Sequence, residues 1–163
     1  MNEIRLMGPI DYPQIAEILN QLEDVRGETR LFICSGGGSI APALAFYHYV
    51  RGKKIDLTTI AIGDTSSAAI IVWLSGITRL VAPDVTMLVH PAPYFNPPGE
   101  QRDENETRVQ KLRVEQWNKA AAKIVSQSSD LKLTEVVEII GKRALLEPEE
   151  LIRRKLAHGL FRE

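Results

Sequence analysis

The sequence contains a single cysteine, Cys34, among its 163 residues. One cysteine excludes an internal disulfide and is typical of proteins from reducing compartments, so we expect a cytoplasmic protein. Cys34 falls in a short apolar run, which predicts a buried strand thiol without a reactive role. The sequence also lacks CxxC and HExxH patterns, so we expect neither a metal site nor a cofactor.

Two further absences limit the classes of partner. Lys and Arg number 20 against 21 for Asp and Glu, giving a formal net charge of -1. Because nucleic-acid-binding proteins carry a basic excess, we expect no nucleic-acid partner. No apolar run reaches the roughly 18 residues of a membrane span, and the N-terminus has no signal-peptide pattern, so we expect no membrane partner. The length and the 44% hydrophobic content suit one globular domain over residues 1–163.

Strand-like and helix-like segments alternate along the chain, which predicts an α/β fold. Asp11, with Gln14 three positions later, forms a capping-box pattern at the first helix. The last helix begins near Pro148 and is expected to end with a cationic His158 before Gly159. The predicted strands cover residues 4–6, 30–34, 57–62, 80–82 and 86–89. The predicted helices cover residues 11–27, 39–50, 67–74, 104–126, 133–140 and 148–158.

Three short motifs together suggest acyl-transfer chemistry. A glycine run, residues 36–38, follows one predicted strand; Ser67 lies where a later strand meets a helix; and His90 ends a third strand. At such a turn the serine hydroxyl lies near free helix N–H groups, and the N–H of Ala68 can stabilise an oxyanion. Glycine backbone can approach a substrate carbonyl closely. His90 would accept the serine proton and return it to the leaving amine.

Each motif also has a plainer interpretation, and residue chemistry alone leaves these alternatives open. Ser66 or Ser67 can be a helix N-cap. The glycine run can be a tight connection or a phosphate-binding turn, although it lacks the Walker and dinucleotide patterns. A histidine at a strand end can be structural. A Ser/Lys dyad that uses Lys111 is a further alternative.

The whole chain resembles the proteolytic subunit of the Clp protease, within the crotonase-like superfamily. The family's S-P-G-G-S run corresponds to residues 35–39, and its G-x-x-x-S-M-G-A motif to the segment beginning at Gly63, which favours Ser67 as the nucleophile. The family's M-I-H-Q-P run corresponds to residues 87–91, with His90 as the base. The resemblance further implies oxyanion donors at Gly38 and Ala68.

The resemblance implies a ClpP-like spiral of ββα units with a protruding handle, the loop and helix at about 91–128. It implies a serine endopeptidase that hydrolyses peptides or unfolded polypeptides inside a chamber. That chamber would be a homo-oligomer of stacked rings, expected to be heptameric. The first predicted strand begins almost at Met1, so we expect the family's N-terminal axial segment to be absent. We therefore treat an AAA+ unfoldase as an open alternative rather than an expected partner.

The third member of the catalytic triad departs from the family pattern. The family aspartate corresponds to Ile139, which cannot orient an imidazole, and the neighbouring Glu138 is the candidate replacement. Two alternatives to an active peptidase follow. One is a catalytically impaired scaffold or regulatory subunit, and the other is a crotonase-type acyl-CoA enzyme, which also holds an oxyanion with backbone N–H groups.

Overall fold

The computed structural model describes residues 2–94 and 102–162, which form a mixed α/β fold. The strands are β1 (Asn2–Met7), β2 (Thr29–Ser35), β3 (Leu57–Thr65), β4 (Thr78–Val81), β5 (Met87–Leu88), β6 (Leu145–Leu146) and β7 (Gly159–Leu160). The helices are α1 (Tyr12–Asp24), α2 (Ile40–Lys53), α3 (Ala68–Trp73), α4 (Glu104–Gln127), α5 (Leu133–Gly141) and α6 (Pro148–Arg153).

The central element is a five-stranded parallel sheet in the order β1-β2-β3-β4-β7. The small sheet formed by β5 and β6 is antiparallel. Parallel strands need crossover connections, and α1, α2 and α3 supply them between the first four strands. The predicted α/β class is therefore confirmed, and the architecture is consistent with the crotonase-like fold.

α3 lies within the core, and its six residues are all buried. Trp73 lies at the end of this helix and is completely buried, and its indole N–H donates to the carbonyl of Leu80 at 3.1 Å. A helix that is apolar on every side must be enclosed, which explains the unbroken apolar run in the sequence. The enclosure fixes α3, and with it the turn that precedes α3.

Helix ends agree with the sequence in part. Asp11 accepts a hydrogen bond from the backbone N–H of Gln14 at 2.8 Å, as predicted. The side chain of Gln14 instead donates to the carbonyl of Met7 at 2.7 Å, so the reciprocal capping box is absent at α1. A complete capping box forms at α4 between Asp103 and Glu106. Cys34 is half-buried rather than buried.

The prediction for the last helix was wrong at its end. α6 ends at Arg153, so His158 is not a helix-terminal cation. The Nδ1 atom of His158 accepts the backbone N–H of Arg79 at 3.0 Å, and Gly159 begins β7 instead of ending a helix. Partial burial of the ring and the charge of Arg79 hold the pKa of His158 below its ordinary value.

Candidate active site

Ser67 occupies the turn between β3 and α3 in an unusual backbone conformation. Its φ is 54° and its ψ is -126°, a region that L residues rarely adopt and that is often found at functional sites. Two neighbouring segments hold this turn. The N–H of Ser66 donates to the main-chain carbonyl of Ser35, and the N–H of Ser67 donates to the main-chain carbonyl of Leu88, each at 2.9 Å. Strong local pairing therefore maintains a conformation that the serine alone would avoid.

The hydroxyl of Ser67 is not used to cap the helix. It makes no side-chain capping bond to α3 and no hydrogen bond within the described parts of the chain. Ser66 differs, because its hydroxyl donates to the carboxylate of Asp64 and accepts the N–H of Leu88 at 2.9 Å. Ser67 is thus the serine with a hydroxyl available for chemistry.

The glycine run lies directly against Ser67. A Cβ added to Gly37, whose φ is +102°, would lie 2.6 Å from the Cβ of Ser67. One added to Gly38, whose φ is +148°, would lie 2.4 Å from the carbonyl oxygen of Ile10. Both positions therefore require glycine, for conformation and for space.

Two backbone N–H groups near Ser67, one in the glycine run and one at the start of α3, are available as donors. Within residues 2–94 and 102–162, the N–H groups of Gly38 and Ala68 have no hydrogen-bond partner. Ala68 is the first residue of α3, where helix N–H groups are unpaired by geometry. Gly38 and Ala68 line the same cavity as Ser67, so the pair can stabilise a negative oxygen formed there.

His90 follows β5 and lines that cavity too. Its Nδ1 atom lies 2.9 Å from the carbonyl oxygen of Pro91. A carbonyl oxygen can only accept a hydrogen bond, so this contact places the proton on Nδ1 and leaves the lone pair on Nε2. The imidazole is therefore in the tautomer that a general base needs.

The rest of the cavity is formed by apolar side chains of α2, α3, α4 and α5, by Val89 and by the segment after His90. Asn118 of α4 fixes that segment: its Oδ1 accepts the N–H of Ala92 at 2.7 Å, and its Nδ2 donates to the carbonyl of Ala92 at 3.4 Å. Sequence reasoning missed Asn118, because no motif marks one amide on a long polar helix. The apolar lining comprises Ile40, Ile70, Ile71, Val89, Ala121, Val125 and Ile140.

The structure does not bring Glu138 to this cavity. Its exposed carboxylate pairs with Lys142 at 2.5 Å, and the hydrogen bond from that lysine lowers the pKa of Glu138. Ile140, two positions later on α5, lines the cavity instead. Residues two apart on a helix project about 200° from each other, so the two side chains lie on opposite sides. No carboxylate lines the cavity in the part of the chain that the structure describes.

Other kinds of site have no support in the described residues. No group of three or more His, Cys, Asp or Glu side chains there is arranged to hold a metal ion. None of the described helices combines the length and the apolar character needed to cross a bilayer. Lys111 lies on α4 outside the Ser67 cavity, with its ammonium over the ring of Tyr94 at 5.8 Å, so the structure does not bring it to Ser67.

The chain belongs to the Clp protease family, whose model matches residues 2–160. It is 25% identical over 146 residues to the ATP-dependent Clp protease proteolytic subunit 4, chloroplastic, of Arabidopsis thaliana, covering 88% of this chain and 49% of that protein. It is 28% identical over 97 residues to the ATP-dependent Clp protease proteolytic subunit 1 of Bifidobacterium longum (strain NCC 2705), covering 58% of this chain and 42% of that protein. The chain thus spans about half the length of these relatives.

Proposed function

We propose that this chain is a serine peptidase of the Clp type, with Ser67 as the nucleophile and His90 as the general base. The observation that carries the proposal is the shared cavity: an unbonded serine hydroxyl on a strained turn and a histidine with a free Nε2 both line it. Family membership supports a peptidase at the level of the class.

The reaction follows from these positions. The Oγ atom of Ser67 attacks the peptide carbonyl carbon while its proton passes to Nε2 of His90. The carbonyl oxygen becomes negative and accepts the N–H groups of Gly38 and Ala68. The protonated His90 then gives its proton to the leaving amine, and water hydrolyses the acyl-enzyme by the same steps.

In a triad enzyme a carboxylate orients the histidine. Here the carbonyl of Pro91 has this role, because no carboxylate of the described residues lines the cavity. It fixes the ring and the tautomer of His90 through the contact at 2.9 Å. A neutral carbonyl stabilises an imidazolium less than a carboxylate does, because only the carboxylate adds a full negative charge. We therefore expect a working enzyme with a lower kcat than a triad enzyme of the same fold.

The substrates in this proposal are peptides or unfolded polypeptides, and the assembly is a homo-oligomer of stacked rings enclosing a chamber. Two features support it: the family generally forms rings, and α4 exposes Val109 and Leu112. A polypeptide can reach a recessed cavity only in an extended, unfolded form, which is why we propose peptides and unfolded polypeptides as substrates.

The test is hydrolysis of a fluorogenic peptide by the full chain. Ser67→Ala should abolish turnover above background. Ser75→Ala, a buried hydroxyl that donates to the carbonyl of Val72 at the far end of α3, should retain most of it. If the wild-type assembly shows no turnover that depends on Ser67, the peptidase proposal fails and a non-catalytic subunit takes its place.

A further inference from the structure

The segment that carries Ser67 is joined to the segment that carries His90 by a short parallel ladder. The N–H of Thr86 donates to the main-chain carbonyl of Gly63 at 2.8 Å, and the N–H of Thr65 donates to the main-chain carbonyl of Thr86 at 2.9 Å. Two residues further along each segment, the N–H of Ser67 donates to the main-chain carbonyl of Leu88 at 2.9 Å. This ladder links the backbone of the segment before Ser67 to the backbone of the segment before His90.

A side chain completes the last step of this ladder. In a regular parallel pair, the N–H of Leu88 would donate to the main-chain carbonyl of Thr65. It donates instead to the Oγ atom of Ser66 at 2.9 Å. β3 ends at Thr65, and the hydroxyl of Ser66 extends the pairing towards Ser67, whose φ is positive.

Asp64 fixes the direction of the Ser66 hydroxyl. The Ser66 Oγ donates its proton to the carboxylate of Asp64, so its lone pairs are left to accept the N–H of Leu88. The same carboxylate lies against the glycine run, because a Cβ on Gly36 would be 3.2 Å from Asp64 Oδ2. Ser66 is only 5% exposed, so water does not easily replace its hydroxyl as the acceptor of the Leu88 N–H, although Asp64 itself is exposed.

We propose that Ser66, held by Asp64, is a positioning residue that sets the separation between the Ser67 hydroxyl and the His90 imidazole. This inference rests on the proposed peptidase function. Without the Ser66 hydroxyl, the N–H of Leu88 loses its acceptor, and on this side only the N–H of Ser67 still holds the strand that leads to His90, so we expect that strand to shift. Displacements of about 1 Å can slow an enzyme by about 100-fold.

The experiment compares Ser66→Ala and Ser66→Thr with Ser75→Ala in the full assembled chain. Ser75 is a matched control, because it is a buried serine at the other end of α3 that also bonds to a backbone atom. We expect Ser66→Ala to lower kcat by about 10- to 100-fold with KM within about twofold. Ser66→Thr, which keeps the hydroxyl, should restore most of kcat, and Ser75→Ala should leave kcat near the wild-type value.

Amide hydrogen exchange at Leu88 provides a readout that does not depend on activity. Ser66→Ala should accelerate exchange of the Leu88 N–H, and Ser75→Ala should not. A Ser66→Ala variant with wild-type kcat, or with unchanged exchange at Leu88, overturns the positioning role. The two proposals can fail separately. If the wild type shows no turnover that depends on Ser67 but Ser66→Ala still accelerates exchange at Leu88, the peptidase function is refuted and only the ladder contact remains.

Discussion

At the residue scale, the site depends on a close approach between Gly37 and Ser67. The glycine backbone occupies the space where a side chain would meet the Cβ of the serine, at 2.6 Å. The sequence indicated that these glycines approach a substrate, and the structure adds that they also contact the nucleophile. Such a contact joins two segments about thirty residues apart, so no local pattern could show it.

Gly37→Ala should therefore damage both stability and activity. The new Cβ would strain a φ of +102° and displace Ser67, so we expect a loss of about 1–3 kcal/mol of unfolding free energy and about a 100-fold lower kcat. Urea unfolding and peptide hydrolysis measure the two effects. Gly52→Ala is the control: nothing lies near a Cβ there, and on α2 it should stabilise the fold by about 0.5–1 kcal/mol. Equal behaviour of the two variants would contradict the contact.

Glu138→Gln should leave catalysis unchanged. Glu138 pairs with Lys142 in solvent and does not line the cavity, so removing its charge affects only an exposed ion pair. We expect kcat and KM within about twofold of wild type and a pH–rate profile of unchanged shape. A large fall in kcat would show that this carboxylate reaches His90 in the working enzyme.

At the scale of elements, Arg79 joins the ends of several helices. It is 9% exposed and donates to the carbonyls of Leu156, Gly76, Ser128 and Lys155. Those carbonyls lie just after α3, α4 and α6, where helices leave acceptors unpaired. One guanidinium therefore satisfies backbone groups from three elements at the end of α3 opposite Ser67. Burial lowers the pKa of Arg79, and the nearby charge of Arg51 lowers it further.

The contact between Arg79 and His158 should make stability depend on pH. Because the pKa of His158 is lowered in the folded state, the unfolded chain binds the proton first as the pH falls through about 6.5. The contribution of the neutral ring is thus present above that pH and is lost on acidification towards the folded-state pKa. Urea unfolding of the wild type should show decreasing stability between pH 7.5 and pH 5.5.

His158→Asn separates this titration from the others. The Asn amide oxygen can accept the N–H of Arg79 but does not titrate, so the variant should lose less stability across the same interval. All other residues are the same in the two proteins, so the comparison isolates position 158. Identical pH dependence of the two proteins would show that His158 does not contribute.

At the scale of the whole molecule, the sequence allowed prediction of the long elements and the α/β class. α3 followed from composition, because a helix enclosed on every side is apolar throughout. β2 and β3 followed from short stretches rich in apolar and β-branched residues. β6 and β7 were missed: each has two residues, β6 lies between two predicted helices, and β7 begins at the glycine that was expected to end the last helix. The ladder through Ser66 and the carbonyl partner of His90 could not be predicted, because both depend on tertiary placement.

The exposed apolar face of α4 should hold subunits together in the proposed assembly. Val109 and Leu112, three positions apart on one face, are 47% and 49% exposed. Leu112→Glu should lower the sedimenting mass of the assembly, because a charge replaces an apolar contact. Arg113→Glu, about 100° around the helix, should not. A wild-type chain that sediments at its monomer mass of 18.2 kDa would contradict the assembly.

The central claim is that Ser67 and His90 act together in one cavity. Its most direct test is a fluorophosphonate probe, with the modified residue identified by mass spectrometry in wild type and His90→Ala. We predict a covalent adduct on Ser67 in the wild type and labelling at least about 100-fold slower in His90→Ala. An adduct on another residue, or equal labelling rates in the two proteins, would contradict the claim.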